Sequence, residues 1–222
     1  MKIQGFLDQL LKTAQQSAGG LGNVAGVKSG ADFGKGALAG GALGLLLGNR
    51  KARKMGGKVA VYGGLAAVGV LAYKAYGDWK KQQGGTGADV EPRTVDILPP
   101  PEAESHSQAI LKALIAAAKA DGHVDERERA VIEGEFSRIE AAPEVRQWLQ
   151  AELQKPLDPA EVARAATTPE MASEMYLASL LAADEQNFME RAYLDELARQ
   201  LKLDDSLKAR LEQQVKEAGD AV

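Results

Sequence analysis

Cysteine is missing altogether from the 222 residues. Neither a disulfide nor a thiolate metal site can form, and the absence suits a reducing compartment and a periplasmic domain equally. Histidine is scarce at two residues, and aromatic side chains make up 5% of the chain. No nucleophile stands beside a matching base and no complete phosphate-binding loop is present. No stretch alternates apolar and polar residues as a half-buried strand does. These gaps exclude any recognisable catalytic constellation and predict an all-α fold.

What is present is an uneven charge distribution. Residues 1–88 carry twelve Lys/Arg and three Asp, whereas 89–222 carry fifteen Lys/Arg and twenty-eight Asp/Glu. A glycine-rich part near +9 thus precedes an acidic part near −13, and the overall −4 conceals two regions with different surroundings. Four segments follow. Residues 1–33 open with Phe6, Leu7, Leu10, Leu11 and Ala14 on one helical face, without the apolar core of a cleaved leader. Residues 34–81 are glycine-rich and apolar, and 82–103 read as a Gly/Pro linker running from GGTG to PPP. Residues 104–222 carry helix signals throughout.

Those signals are local. Ser105 or Ser107 can cap a helix to Ala120, Asp125 one to about Ala141, and Pro143 to Gln154 forms a third with Val145, Trp148, Leu149 and Leu153 inward. Asp158-Pro159 and Thr168-Pro169 each place a cap before a proline at the first helical position, where its missing N–H costs nothing. Asn187 starts a helix to about Leu201, and Asp204 or Asp205 starts the last.

The apolar runs of the basic half invite a membrane reading. Gly36 to Gly48 is too short to span, but Val59 to Gly77 approaches the roughly 20 residues required, with Lys74 able to snorkel and Tyr73, Tyr76 and Trp79 forming an aromatic girdle. Gly36, Gly40, Gly44 and Gly48 form one small-residue face, as do Gly22, Gly26, Gly30 and Gly34, and such faces let helices self-associate in lipid. The alternative is flexible chain. Arg50, Lys51, Arg53, Lys54 and Lys58 sit on anionic lipid or fix orientation, which predicts an inner-membrane protein with its C-terminal domain in the periplasm. No aromatic-rich face accompanies them, so no nucleic-acid partner is expected.

One acidic turn, AKADGHVDERE from Ala118 to Glu128, matches the second half of a calcium loop, with Asp121, Gly122, Asp125 and Glu128 at positions five, six, nine and twelve. The first half fails, since Ala117 and Lys119 stand at positions one and three. Helix capping explains much of the pattern: Gly122 stops one helix, Asp125 caps the next, and Glu128 completes a capping-box-like pair. Yet the pattern recurs at Asp184, Asn187 and Glu190, 63 residues on, after a second alanine-rich helix. Two such units packed by pseudo-two-fold symmetry would gather Asp121, Asp184, Glu128 and Glu190, whose mutual repulsion a divalent cation or a partner's Lys/Arg would relieve. Caps and a weak cation site both remain open.

The stretches AAAKADGHVDERERAVI and LAADEQNFMERAYLDELARQL resemble the TerB-like helical domain named for a tellurite-resistance protein. The preceding ADFGKGALAGGALGLLLGNRKARKMGGK is similar to the YebE family of bacterial inner-membrane proteins. The resemblance implies a bundle of about seven helices, an envelope location and a metal-associated acidic site at Asp121, Asp125, Glu128, Asp184 and Glu190. It does not imply an enzyme. The expected function is a membrane-anchored, non-enzymatic module in envelope stress or metal-ion homeostasis. The alternative is a scaffold that self-associates through its glycine stripes and recruits a protein partner.

Overall fold

The computed structural model describes residues 3–5, 65–82, 92–120, 142–183 and 187–220. Among them lie seven helices and no strand: α1 (Leu65–Gln82), α2 (Pro100–Ala118), α3 (Pro143–Gln154), α4 (Pro159–Ala163), α5 (Pro169–Ala182), α6 (Phe188–Gln200) and α7 (Asp205–Asp220). The all-α expectation holds. The helix expected from Asp125 to Ala141, both glycine stripes, the basic cluster at 50–58 and the amphipathic face from Phe6 to Ala14 lie outside the described residues.

α5 is the centre of the bundle. Every residue from Met171 to Ala182 is buried, including Ser173, Glu174 and Ser179, and a helix apolar on all sides is one enclosed on all sides. α1, α2, α6 and α7 pack around it, while α3 and α4 pack on α2. The serine hydroxyls are satisfied within the helix, Ser173 donating to the Pro169 carbonyl at 2.9 Å and Ser179 to that of Met175 at 3.0 Å. The helix starts follow their caps. Asp158 accepts from the Ala160 N–H at 2.9 Å, Thr168 from Met171 at 3.1 Å, Asn187 from Met189 at 2.9 Å and Asp204 from Ser206 at 2.9 Å.

α2 begins earlier than its serines suggest. Its first turn is Pro100-Pro101, where neither ring removes a hydrogen bond the helix needs, and Glu102 and Ala103 donate to the Pro99 carbonyl at 3.0 Å. Ser105 and Ser107 sit inside the helix and donate back to the carbonyls of Pro101 and Ala103.

The membrane expectation is overturned. No helix of the described residues is long and apolar enough to cross a membrane. The inner-membrane location with a periplasmic C-terminal domain is therefore corrected. The residues read as a span belong in part to α1, which carries Lys74, Asp78, Lys80 and Lys81 and buries Val68, Ala72, Ala75 and Tyr76 as one stripe of the protein core. Alanine suits that role because Ala72 and Ala75 are fully buried where α1 packs on α5 and α7, whereas Gly69 and Gly77 face Asp96 and Pro92. Its aromatic end is not a lipid girdle: Trp79 donates its indole N–H to Ser206 at 2.8 Å, its ring lies 5.5 Å from that of Tyr76, and Asp78 pairs with Arg210 on α7 at 3.2 Å.

Candidate functional site: two ends of a parallel helix pair

α2 and α5 form the closest partnership in the bundle, and their direction can be read from paired residues. His106 meets Glu174, and farther along the Ser179 hydroxyl lies 3.4 Å from the Ala113 carbonyl. Partner numbers rise together, so the helices are parallel. Their C-terminal ends, at Ala118 and Ala182, consequently lie at the same end of the bundle, as do Ala120 and Ala183 just beyond them.

In sequence, both acidic stretches follow those ends. Neither α2 nor α5 has a basic residue in its last turn, although Lys119 follows α2 as its C-cap, and backbone N–H groups of Lys119, Ala120 and Ala183 cap carbonyls at the two ends. Residues 121–141 and 184–186 contain nine carboxylates and three arginines. Of the five residues singled out from sequence, Asp121, Asp125, Glu128 and Asp184 lie outside the described residues. Glu190 is described: it is the third residue of α6, behind the Asn187 cap, and only 7% exposed. Among the described residues no three His, Cys, Asp or Glu side chains come together as a metal cluster.

Lys119, the cation that disrupts the calcium-loop pattern, is engaged at the end of α3. Its ammonium donates to the carbonyls of Glu152, at 3.2 Å, and Lys155. Beside it Lys112 and Lys155 converge on Glu161 at 2.7 and 3.4 Å, and Lys155 also meets Glu152. Desolvation pushes the Glu161 carboxyl up, but the two ammoniums outweigh it and leave it below the ordinary value. The space among these residues, about 10 Å³, holds no more than one water. This network ties α2, α3 and α4 together and leaves no room for a substrate.

The N-terminal end of the pair is built differently. Residues 92–98 form a strap across it, with Thr94 and Val95 buried and Asp96 and Ile97 outward. The Val95 N–H donates to Glu174 Oε1 at 2.6 Å, and Glu174 Oε2 meets His106 Nδ1. Burial pushes the Glu174 carboxyl up; contact with His106 and the Val95 amide offsets this only in part, and Asp96 adds to the rise. Asp96 lies over α1, so close to Gly69 that a methyl added there would fall 2.3 Å from its Oδ1. Thr94 Oγ1 is buried without a hydrogen-bond partner. Nearby, Glu104 accepts from the N–H groups of Ile3, at 2.5 Å, and Gln4, at 3.0 Å, and thereby fixes the start of the chain. Sequence reasoning missed His106 and Glu174. They stand 68 positions apart, and nothing local marks either one.

Residues 32–215 match the model of a family described as "Protein of unknown function (DUF533)". An uncharacterized protein in the ampR 5' region of Yersinia enterocolitica is 32% identical over 115 residues, which cover 52% of this chain and 83% of that protein. No solved structure matches the chain.

Proposed function

Taking as premise that the chain belongs to the DUF533 family, we propose that it is a non-enzymatic helical module that binds cations or cationic partners at the C-terminal end of the α2/α5 pair, in metal-ion homeostasis or stress response. Within the family, the TerB-like character of the two acidic turns is the finer assignment that we infer. The observation that carries the reading is the parallel pairing. It brings to one end two helix C-termini that have no basic residue in their last turns, and each is followed in sequence by an acidic stretch. Carboxylates gathered beside two negative helix ends repel one another, and a divalent cation relieves that repulsion. Asp121, Asp125, Glu128, Asp184 and Glu190 are the proposed ligands.

The test is a calcium or zinc titration of the full chain, read as melting temperature. Binding to the folded state stabilises by RT ln(1 + [L]/Kd), about 2.7 kcal/mol at a hundredfold excess, which is readily measured. The shift should vanish in Asp121→Asn with Asp184→Asn. A wild type indifferent to both metals would overturn cation binding and leave the turns as helix caps.

A second reading, recruitment of a basic protein to the same end, is favoured by Phe188 and Met189. They follow the second acidic turn and are 76% and 59% exposed. Phe188→Ser with Met189→Ser should weaken binding of a basic amphipathic peptide while leaving a metal-induced shift intact.

A further inference from the structure

Residues 3–5 dock on the bundle through their backbone. They are helical, Gly5 faces outward, and Ile3 is fully buried in the apolar cluster that also holds Val68, Ile110 and Leu177. One carboxylate serves two successive amides: Glu104 Oε1 accepts from the Ile3 N–H at 2.5 Å and Oε2 from the Gln4 N–H at 3.0 Å. Amides in the first turn of a helix have no carbonyl partner within it, and negative charge is favoured there. Here the charge comes from α2, about a hundred positions away in the chain. Glu104 and the buried seat of Ile3 thus form a socket, and residues 3–5 are its key. We propose that this socket is a self-recognition site through which two copies of the chain exchange their N-terminal segments, residues 3–5 of one copy occupying the socket of the other.

The contact is built like that of a separable ligand. Its polar part is two main-chain N–H groups on one carboxylate and its buried apolar part is one side chain, so the seat takes the same segment from either copy. Exchange breaks no contact that it does not remake, which makes swapping an identical element a low-cost route to a dimer. The balance is set by the concentration of copies against the effective concentration that the connection imposes. That is about millimolar for short flexible links and falls roughly as the −3/2 power of length. The connection here is residues 6–64, whose covalent geometry permits a reach of up to about 200 Å. A second copy lies within that reach, and the long connection lowers the advantage of the closed form.

The same relation bounds the affinity. Ile3 is seated within a single chain, so the socket holds its key more tightly than the effective concentration, and the two must also bind in trans at about millimolar concentration. The strap nearby is anchored separately, by the Val95 N–H on Glu174, and Glu104 is half-buried. Altering the socket therefore leaves the anchor of the strap in place.

Two full-length variants test the exchange. Ile3→Asp spoils the key, since a charge is costly to bury, and keeps the socket. Glu104→Lys keeps the key and spoils the socket by setting a positive charge against the amides of a helix start. Neither variant can make the contact alone, but a mixture holds one intact key and one intact socket. In NMR spectra of isotope-labelled Ile3→Asp, the Glu104 and Ser105 amide signals should return toward their wild-type positions as unlabelled Glu104→Lys is added to about millimolar concentration. Chain carrying both substitutions should have no effect. If either variant does not fold, labelled and unlabelled wild type mixed at that concentration should show isotope-filtered contacts between Ile3 of one copy and Glu104 of another. Signals that stay in place, an equal response to the doubly substituted chain, or wild-type contacts confined to one copy would overturn the proposal.

Discussion

The two ends of the α2/α5 pair handle charge in opposite ways. At the N-terminal end, His106 and Glu174 are drawn inside and bonded to each other and to the strap. At the C-terminal end the interior is alanine, with Ala116, Ala117, Ala120, Ala182 and Ala183 all buried, and the acidic residues belong to the sequence that follows each helix. The same helices thus supply a sealed polar contact at one end and an alanine interior at the other. Enclosed at one end of the pair, an acidic residue such as Glu174 becomes a structural anchor.

The comparison is broken most severely through what the ends share. Leu177 is fully buried near the middle of α5, and Leu177→Ala should destabilise by about 2–5 kcal/mol, since the cavity cannot collapse between packed helices. Denaturant unfolding would measure the loss, and exchange should rise at both ends together. A smaller change affects one end alone. Asn187→Ala removes the side chain that accepts from Met189 at 2.9 Å and should lose about 1 kcal/mol, with faster exchange at the start of α6 and none at Val95. The smallest effect belongs to the strap. Thr94→Val replaces a buried, unpartnered hydroxyl by a methyl of the same shape, so thermal unfolding should show stability unchanged or raised by up to about 1 kcal/mol.

Much of the fold was legible because its signals are local. Asp158, Thr168 and Asn187 cap where their spacing to the following residues indicated, and Asp204 proved to be the cap of α7 in preference to Asp205. The start of α2 was obscured by prolines that read equally as linker, although the first helical turn tolerates them. α1 was misread for a deeper reason. A run of glycine, alanine and valine serves a lipid-facing helix and a helix buried against α5 and α7 alike, and only the packing of Ala72 and Ala75 decides between them. The acidic turns announced themselves by repetition. Their spacing of 63 residues is close to the offsets of 66 and 68 between paired residues of α2 and α5. The buried pair did not, because α5 is apolar on every side and gives no hint of which direction Glu174 faces.

The central claim is that the acidic end binds cations while the strap end does not respond to them. Amide exchange of the full chain with and without calcium tests it at both ends in one experiment. The account predicts slower exchange at Lys119, Ala120, Ala183 and Asn187 on adding calcium, no change at Val95 and Ile97, and no response in Asp121→Asn with Asp184→Asn. Identical exchange at Ala120 and Ala183 with and without the metal, or a response that survives the double substitution, would contradict it.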